Sequence, residues 1–138
     1  MSAAKARTEA LIHAYYDAFN RADMPAFLAL LSENVEHDIN QGERQTGRDV
    51  FSAFMEKMNR SYREELKEIR VVASEDGSWA AAEFVVHGTY LATDEGLPEA
   101  NGQTYKLAAG AFFNVEDNKV ARITNYYNLR DWLAQVGA

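Results

Sequence analysis

The chain has 138 residues, with 21 acidic and 14 basic side chains, a formal net charge of -7 and no cysteine. That length suits one domain with a real core, and 47% hydrophobic with 25% charged residues is the balance of a globular protein rather than a disordered tail. The acidic balance, with no basic stripe, excludes a phosphate-backbone partner, and the missing cysteines exclude disulfides, a thiol nucleophile and a cysteine-based zinc site.

From Ala3 to Ala22, Leu11, Tyr15, Ala18 and Ala22 recur at three and four residues, the stripe of an amphipathic helix. Lys5, Arg7, Glu9 and His13 interrupt any secretory core there, and no apolar run reaches membrane-spanning length, so a cytoplasmic protein away from membranes is expected. Asp23 and Pro25 predict the capped start of a second helix carrying Phe27, Leu28, Leu30 and Leu31. Val35 to Asn40 reads as a strand, followed by turn signals at Gln41-Gly42 and Gly47. Thr46 and Asp49 resemble a capping box for a third helix marked by Val50, Phe51, Phe54, Met55 and Met58.

"YREELKEIR", Tyr62 to Arg70, alternates charge and reads as the solvated end of a helix entering a strand. Leu66 to Ser74, Trp79 to Thr93, Thr104 to Val115 and Val120 to Asn128 are rich in β-branched and aromatic residues and predict strands. Their separators, Asp76-Gly77-Ser78 and Asp117-Asn118-Lys119 among them, suit hairpins, so the sheet should be mainly antiparallel. The acidic loop from Thr93 to Gly102 is a candidate rim, and Leu129 to Val136 forms a last amphipathic turn. The order ααβαββββ predicts an α+β fold, a single domain over residues 1–138, with helices over a bent sheet enclosing a space for a small ligand.

"VEHDINQG", Val35 to Gly42, concentrates ionisable and amide groups on one short strand. Side chains two apart share a face, so Asp38 projects with Glu36 and Asn40, whereas His37 projects with Val35 and Ile39. If Asp38 and Asn40 face the interior, burial raises the carboxyl toward a useful base; if His37 does, imidazole is the base and Asp38 caps the outer face. A plain turn into Gly42 would also use these residue types. On the last strand Asn125 and Tyr127 share a face with Ala121 and Ile123, company that suggests the interior.

"YYDAFNRADMPAFLALLSENVEHD", "GRDVFSAF" and "AFFNVEDNKVARITNYYNLRDWL" resemble the ketosteroid isomerase and SnoaL-like branch of the nuclear transport factor 2-like superfamily over Leu11 to Val136. Within it, the chain is similar to proteins described as ketosteroid isomerase-related, which share an element reading here His37-Asp38-Ile39-Asn40-Gln41-Gly42. The resemblance implies a cone-shaped roll and commonly a homodimer. It places the base on Asp38, allowing a one-residue gap without which it falls on Ile39. It places the oxyanion donor on Tyr15, and pocket positions on Phe112, Asn125 and Tyr127. The isomerases' second acid falls on Gly110 and is absent.

The sequence thus predicts a cofactor-free, isomerase-like enzyme that abstracts a proton beside the carbonyl of a small apolar ligand of steroid, polyketide or terpenoid kind. Asp38 or His37 is the base, with Tyr15 as catalytic donor and Asn40, Phe112, Asn125 and Tyr127 as binding residues. Two other readings stay open: a hydrolase or dehydratase with water held by Asp38 and Asn40, and a non-catalytic binding protein. His13, His37 and His87 show no metal-ligand spacing, and no phosphate-binding or nucleophile-elbow motif occurs, so no metal and no cofactor is expected.

Overall fold

The computed structural model describes residues 2–137. Helix α1 spans Ala3–Asn20, capped by the Ser2 hydroxyl, which accepts from the Lys5 amide at 3.0 Å. It ends two residues before the expected Ala22, because Ala22 turns left-handed with φ of 57° and redirects the chain. Helix α2, Met24–Ala29, starts as predicted: Asp23 accepts from the Ala26 amide at 3.1 Å, and Pro25 sits in the first turn, where no amide hydrogen is needed.

The remaining elements are β1 (Leu31–Asp38), β2 (Arg44–Thr46), α3 (Arg48–Ser61), β3 (Tyr62–Ala73), β4 (Trp79–Tyr90), β5 (Thr104–Glu116), β6 (Lys119–Tyr127) and α4 (Leu129–Val136). The six strands form one sheet in the order β2-β1-β6-β5-β4-β3. Only β1 and β6 pair in parallel, so the sheet is mainly antiparallel. This is the expected α+β cone: a curved sheet with three of its four helices in the N-terminal half.

Three local expectations are corrected. Thr46 and Asp49 form no capping box; α3 starts from Gly47, whose φ of 110° suits glycine, with no side-chain cap. Asn40 lies beyond β1, in the turn where Gln41 adopts φ of 61°. Tyr62 to Glu65 are strand, not helix end, and pair with Tyr90 to His87 of β4. Tyr62, Glu64 and Leu66 point inward while Arg63, Glu65 and Lys67 point out, a period of two that alternating charge disguises. A bulge at Glu68, φ 56°, then bends β3.

The core lies between α1, α2, α3 and the inner sheet face. Tyr15 meets Phe27 at 4.6 Å and Phe113 at 5.5 Å between ring centroids, and Tyr16 meets Phe84 at 5.0 Å. Burying each such ring stabilises the fold by roughly 2–3 kcal/mol. The Asp117-Asn118 turn between β5 and β6 has both residues left-handed, φ 51° and 57°, matching the twist of a tight hairpin.

Candidate active site on the inner face of the cone

Strand alternation divides the candidate residues into two groups. Phe113 of β5 is fully buried on the inner face while Phe112 is 39% exposed on the outer one. Phe112 and Gly110 therefore do not face the interior, which corrects the expectation for both. Phe112 stacks against Trp79 at 5.8 Å and meets Tyr126 edge-on at 5.8 Å. With Val72, Ala81, Val85 and Gly110, Phe112 and Tyr126 line an open groove of about 920 Å³ across the outer sheet.

Asp38 also points out, so the expected interior carboxyl is corrected. Arg44 on β2 grips it with two hydrogen bonds, Nε to Oδ1 at 2.6 Å and Nη2 to Oδ2 at 3.0 Å. Thr124 of β6 donates to Oδ2 at 2.6 Å, and Arg44 also reaches Glu36 at 3.0 Å. These partners, Arg44 first and then Thr124, hold the Asp38 carboxyl down at a pKa of about 2 against its partial burial. An acid so ionised and ion-paired is a poor base, and Asn40 is turned from it, its amide donating to the Tyr127 carbonyl at 3.2 Å.

His37 is the member of this stretch that faces inward. It is 3% exposed, stacked on Phe51 of α3 at 4.2 Å and edge-on to Phe54 at 4.8 Å. Burial among these rings pushes its pKa down to about 4, against the opposing pull of Asp38, so the ring is neutral at neutral pH. Its Nδ1 is buried without a hydrogen-bond partner among the described residues, as is the Tyr16 hydroxyl. Tyr15 is buried on the same side, linked to His37 through Phe27 and Phe51, and burial raises its phenol pKa.

The inner face of β3, opposite Gly88 of β4, holds an acid that the sequence expectations do not include. Glu64, on the inner face of β3, accepts from the Tyr105 hydroxyl of β5. Burial pushes its carboxyl pKa up, partly offset by that hydrogen bond. No cation pairs with Glu64 among the described residues. Nearby, the Tyr62 hydroxyl donates to Asp94 of the Thr93–Gly102 loop at 2.8 Å, and the Asp94 amide donates to the Tyr90 hydroxyl at 3.0 Å, which fastens that loop to the rim. Trp132 of α4 packs edge-on against Tyr90 at 5.2 Å and against Tyr62 and Tyr105 at 6.0 Å each.

Tyr127, 38% exposed where it also borders the outer groove, joins this group: partial burial raises its phenol pKa, a hydrogen bond with the Asn40 side chain opposes the rise, and the Glu64 and Asp94 carboxylates add to it. Asn125, two residues earlier on the same face and paired with Ala111, is partly buried. Of the expected residues, then, Tyr15, His37, Asn125 and Tyr127 share the inner face, Asn40 sits at its edge, and Asp38 and Phe112 lie outside it. The signal that could have found Glu64 was period-two reading of Tyr62, Glu64 and Leu66. Among the described residues no group of three or more His, Cys, Asp or Glu gathers as a metal site, and no helix is long and apolar enough to cross a membrane.

This cone, with helices over one face of a curved sheet, is that of the SnoaL-like domain family, and the chain belongs to it, matching over residues 12–123. A provisionally assigned polyketide cyclase from Pseudomonas putida is 65% identical, with 99% of this chain and 98% of that one covered and a TM-score of 0.93. One from Xanthomonas campestris is 55% identical over 96% and 98%, TM-score 0.94. A provisionally assigned ketosteroid isomerase from Kribbella flavida is 26% identical over 90% and 79%, TM-score 0.64. No curated protein matches the chain.

Proposed function

We propose that the chain is an enzyme that moves a proton at a carbon beside the carbonyl of a small apolar, polyketide-like substrate, without a cofactor. The observation that carries this reading is Glu64: an inner-face carboxyl, raised in pKa by burial, paired with no cation among the described residues and hydrogen-bonded to Tyr105 among phenols. Such a group is basic enough to accept a proton from carbon and, once protonated, acidic enough to return it. The Tyr127 hydroxyl supplies an O–H donor for the enolate oxygen, while the Tyr105 hydroxyl stays on Glu64. Donors of this kind commonly contribute roughly two to four kcal/mol.

The reading keeps the expected chemistry and moves the base from Asp38 to Glu64. It also suits the relatives assigned as cyclases, because closing a polyketide ring by carbon–carbon bond formation begins with removal of the same acidic proton. Tyr15, His37 and Asn125 then line the apolar end. The protein works as a cytoplasmic homodimer whose subunits meet through the outer groove of Phe112 and Tyr126 and the adjoining Trp79, exposed rings that a second copy would cover.

The test is deuterium uptake from heavy water into a panel of activated ketones, followed by mass spectrometry for wild type, Glu64→Gln and Asp38→Asn. Expected is uptake by wild type and Asp38→Asn and at least a hundredfold loss in Glu64→Gln, on the scale of a removed general base. The wild-type rate should fall on acidification as Glu64 is protonated, at a pH above the ordinary glutamate range. Uptake that survives Glu64→Gln but not Asp38→Asn would return the base to Asp38. Ligand binding without uptake would leave the protein a binding module.

A further inference from the structure

Glu64 on β3, Gly88 on β4 and Tyr105 on β5 stand in one row, Glu64 opposite Gly88 and Gly88 opposite Tyr105. Two strand spacings, about 10 Å between backbones, separate the acid from the phenol. The tyrosine covers that distance by lying across β4, so that its hydroxyl reaches Oε2 of Glu64. A Cβ at position 88 would stand 2.2 Å from Tyr105 Cζ, 2.3 Å from Cε2 and 2.5 Å from the hydroxyl oxygen. Gly88 lies within a regular strand and is not among the glycines with positive φ. Space, not backbone freedom, is therefore the reason for glycine here.

We propose that Gly88 is a positioning residue: its bare Cα is the slot through which Tyr105 ties down one carboxyl oxygen of Glu64, leaving Oε1 for a ligand. The inference rests on the reading of Glu64 as the proton-transfer group. Trp132 packs against Tyr105, so the ring is held in the slot from the α4 side. Any side chain at position 88 displaces the phenol, frees both carboxyl oxygens and removes a hydrogen bond that favours the ionised acid.

The experiment is an NMR titration of the Glu64 side-chain carboxyl carbon in the full chain. Tyr105→Phe keeps the ring and removes the hydroxyl, so Glu64 should titrate at higher pH than in wild type. Gly88→Ala should shift it in the same direction, and the double variant should shift it no further than either alone. A wild-type titration in Gly88→Ala, or shifts that add in the double variant, would overturn the proposal. If Gly88→Ala does not fold, Gly88→Ala with Tyr105→Leu removes the obstructing ring. That pair should fold and titrate like Tyr105→Phe; failure to fold would show that Gly88 serves something other than Tyr105 and would equally overturn it. Because the titration needs no turnover, a wild type without deuterium uptake removes the proton-transfer reading alone.

Discussion

Neighbouring residues on one strand meet opposite electrostatic fates in this protein. Asp38 has a folded pKa of about 2, lowered first by Arg44, so its contribution to stability is present above the unfolded value near 3.8 and is lost as pH falls toward 2. Arg44 is half-exposed, which keeps the contribution at the surface scale, about 1 kcal/mol. Asp38→Asn should therefore lower the melting temperature at neutral pH, and the gap from wild type should close between about pH 4 and pH 2. His37 behaves differently. Its pKa is lowered to about 4 by burial, so the unfolded chain binds the proton more readily and stability falls as pH drops from 6.5 toward 4. The slope approaches about 1.4 kcal/mol per pH unit inside that window. His37→Phe should flatten it, as denaturant unfolding at pH 7, 6 and 5 would reveal; an unchanged slope would mean that the imidazole titrates normally.

Elements are held by a few positions where the backbone leaves ordinary space. In the β3–β4 turn Gly77 has φ of 75°, and a Cβ there would lie 2.7 Å from the Ala4 carbonyl oxygen and 2.9 Å from Thr8 Oγ1. The same Thr8 hydroxyl donates to the Gly77 carbonyl at 2.6 Å, which pins α1 to the end of the sheet. Gly77→Ala combines strain with a clash and should cost more than about 1 kcal/mol in denaturant unfolding. At the β5–β6 hairpin Asn118, φ 57°, already tolerates the left-handed region, so Asn118→Gly should be neutral or slightly stabilising, whereas Asn118→Val should destabilise by about 1 kcal/mol or more. Equal stability of the two Asn118 variants would contradict the turn geometry.

For the whole molecule, the two faces of one curved sheet divide the labour. The inner face gathers phenols and a half-buried acid, while the outer face presents Trp79, Phe112 and Tyr126 beside the ion-paired Asp38 and Arg44. If the subunits meet there, sedimentation should give a dimer at micromolar concentration, and Phe112→Glu with Tyr126→Glu should give a folded monomer. A monomeric wild type would reject the homodimer. The helices and most strands were legible in the sequence because their patterns are local: the stripe of α1, the Asp23-Pro25 start of α2, and runs of β-branched and aromatic residues between turn signals. Alternation put Ile123, Asn125 and Tyr127 on one face and made His37 and Asp38 a pair of alternatives, while the small apolar company of Ala121 and Ile123, with the family resemblance, pointed that face inward. Which of those two faces the core depends on what lies across the strand. Phe51 from α3 takes the imidazole and Arg44 from β2 takes the carboxylate, contacts no local pattern contains. Glu64 was hidden for the same reason: alternating charge suits a solvated helix as well as a strand. Only pairing with Gly88, and the reach of Tyr105 across it, turns that glutamate into a half-buried, hydrogen-bonded acid, because burial and proton affinity belong to the assembled sheet.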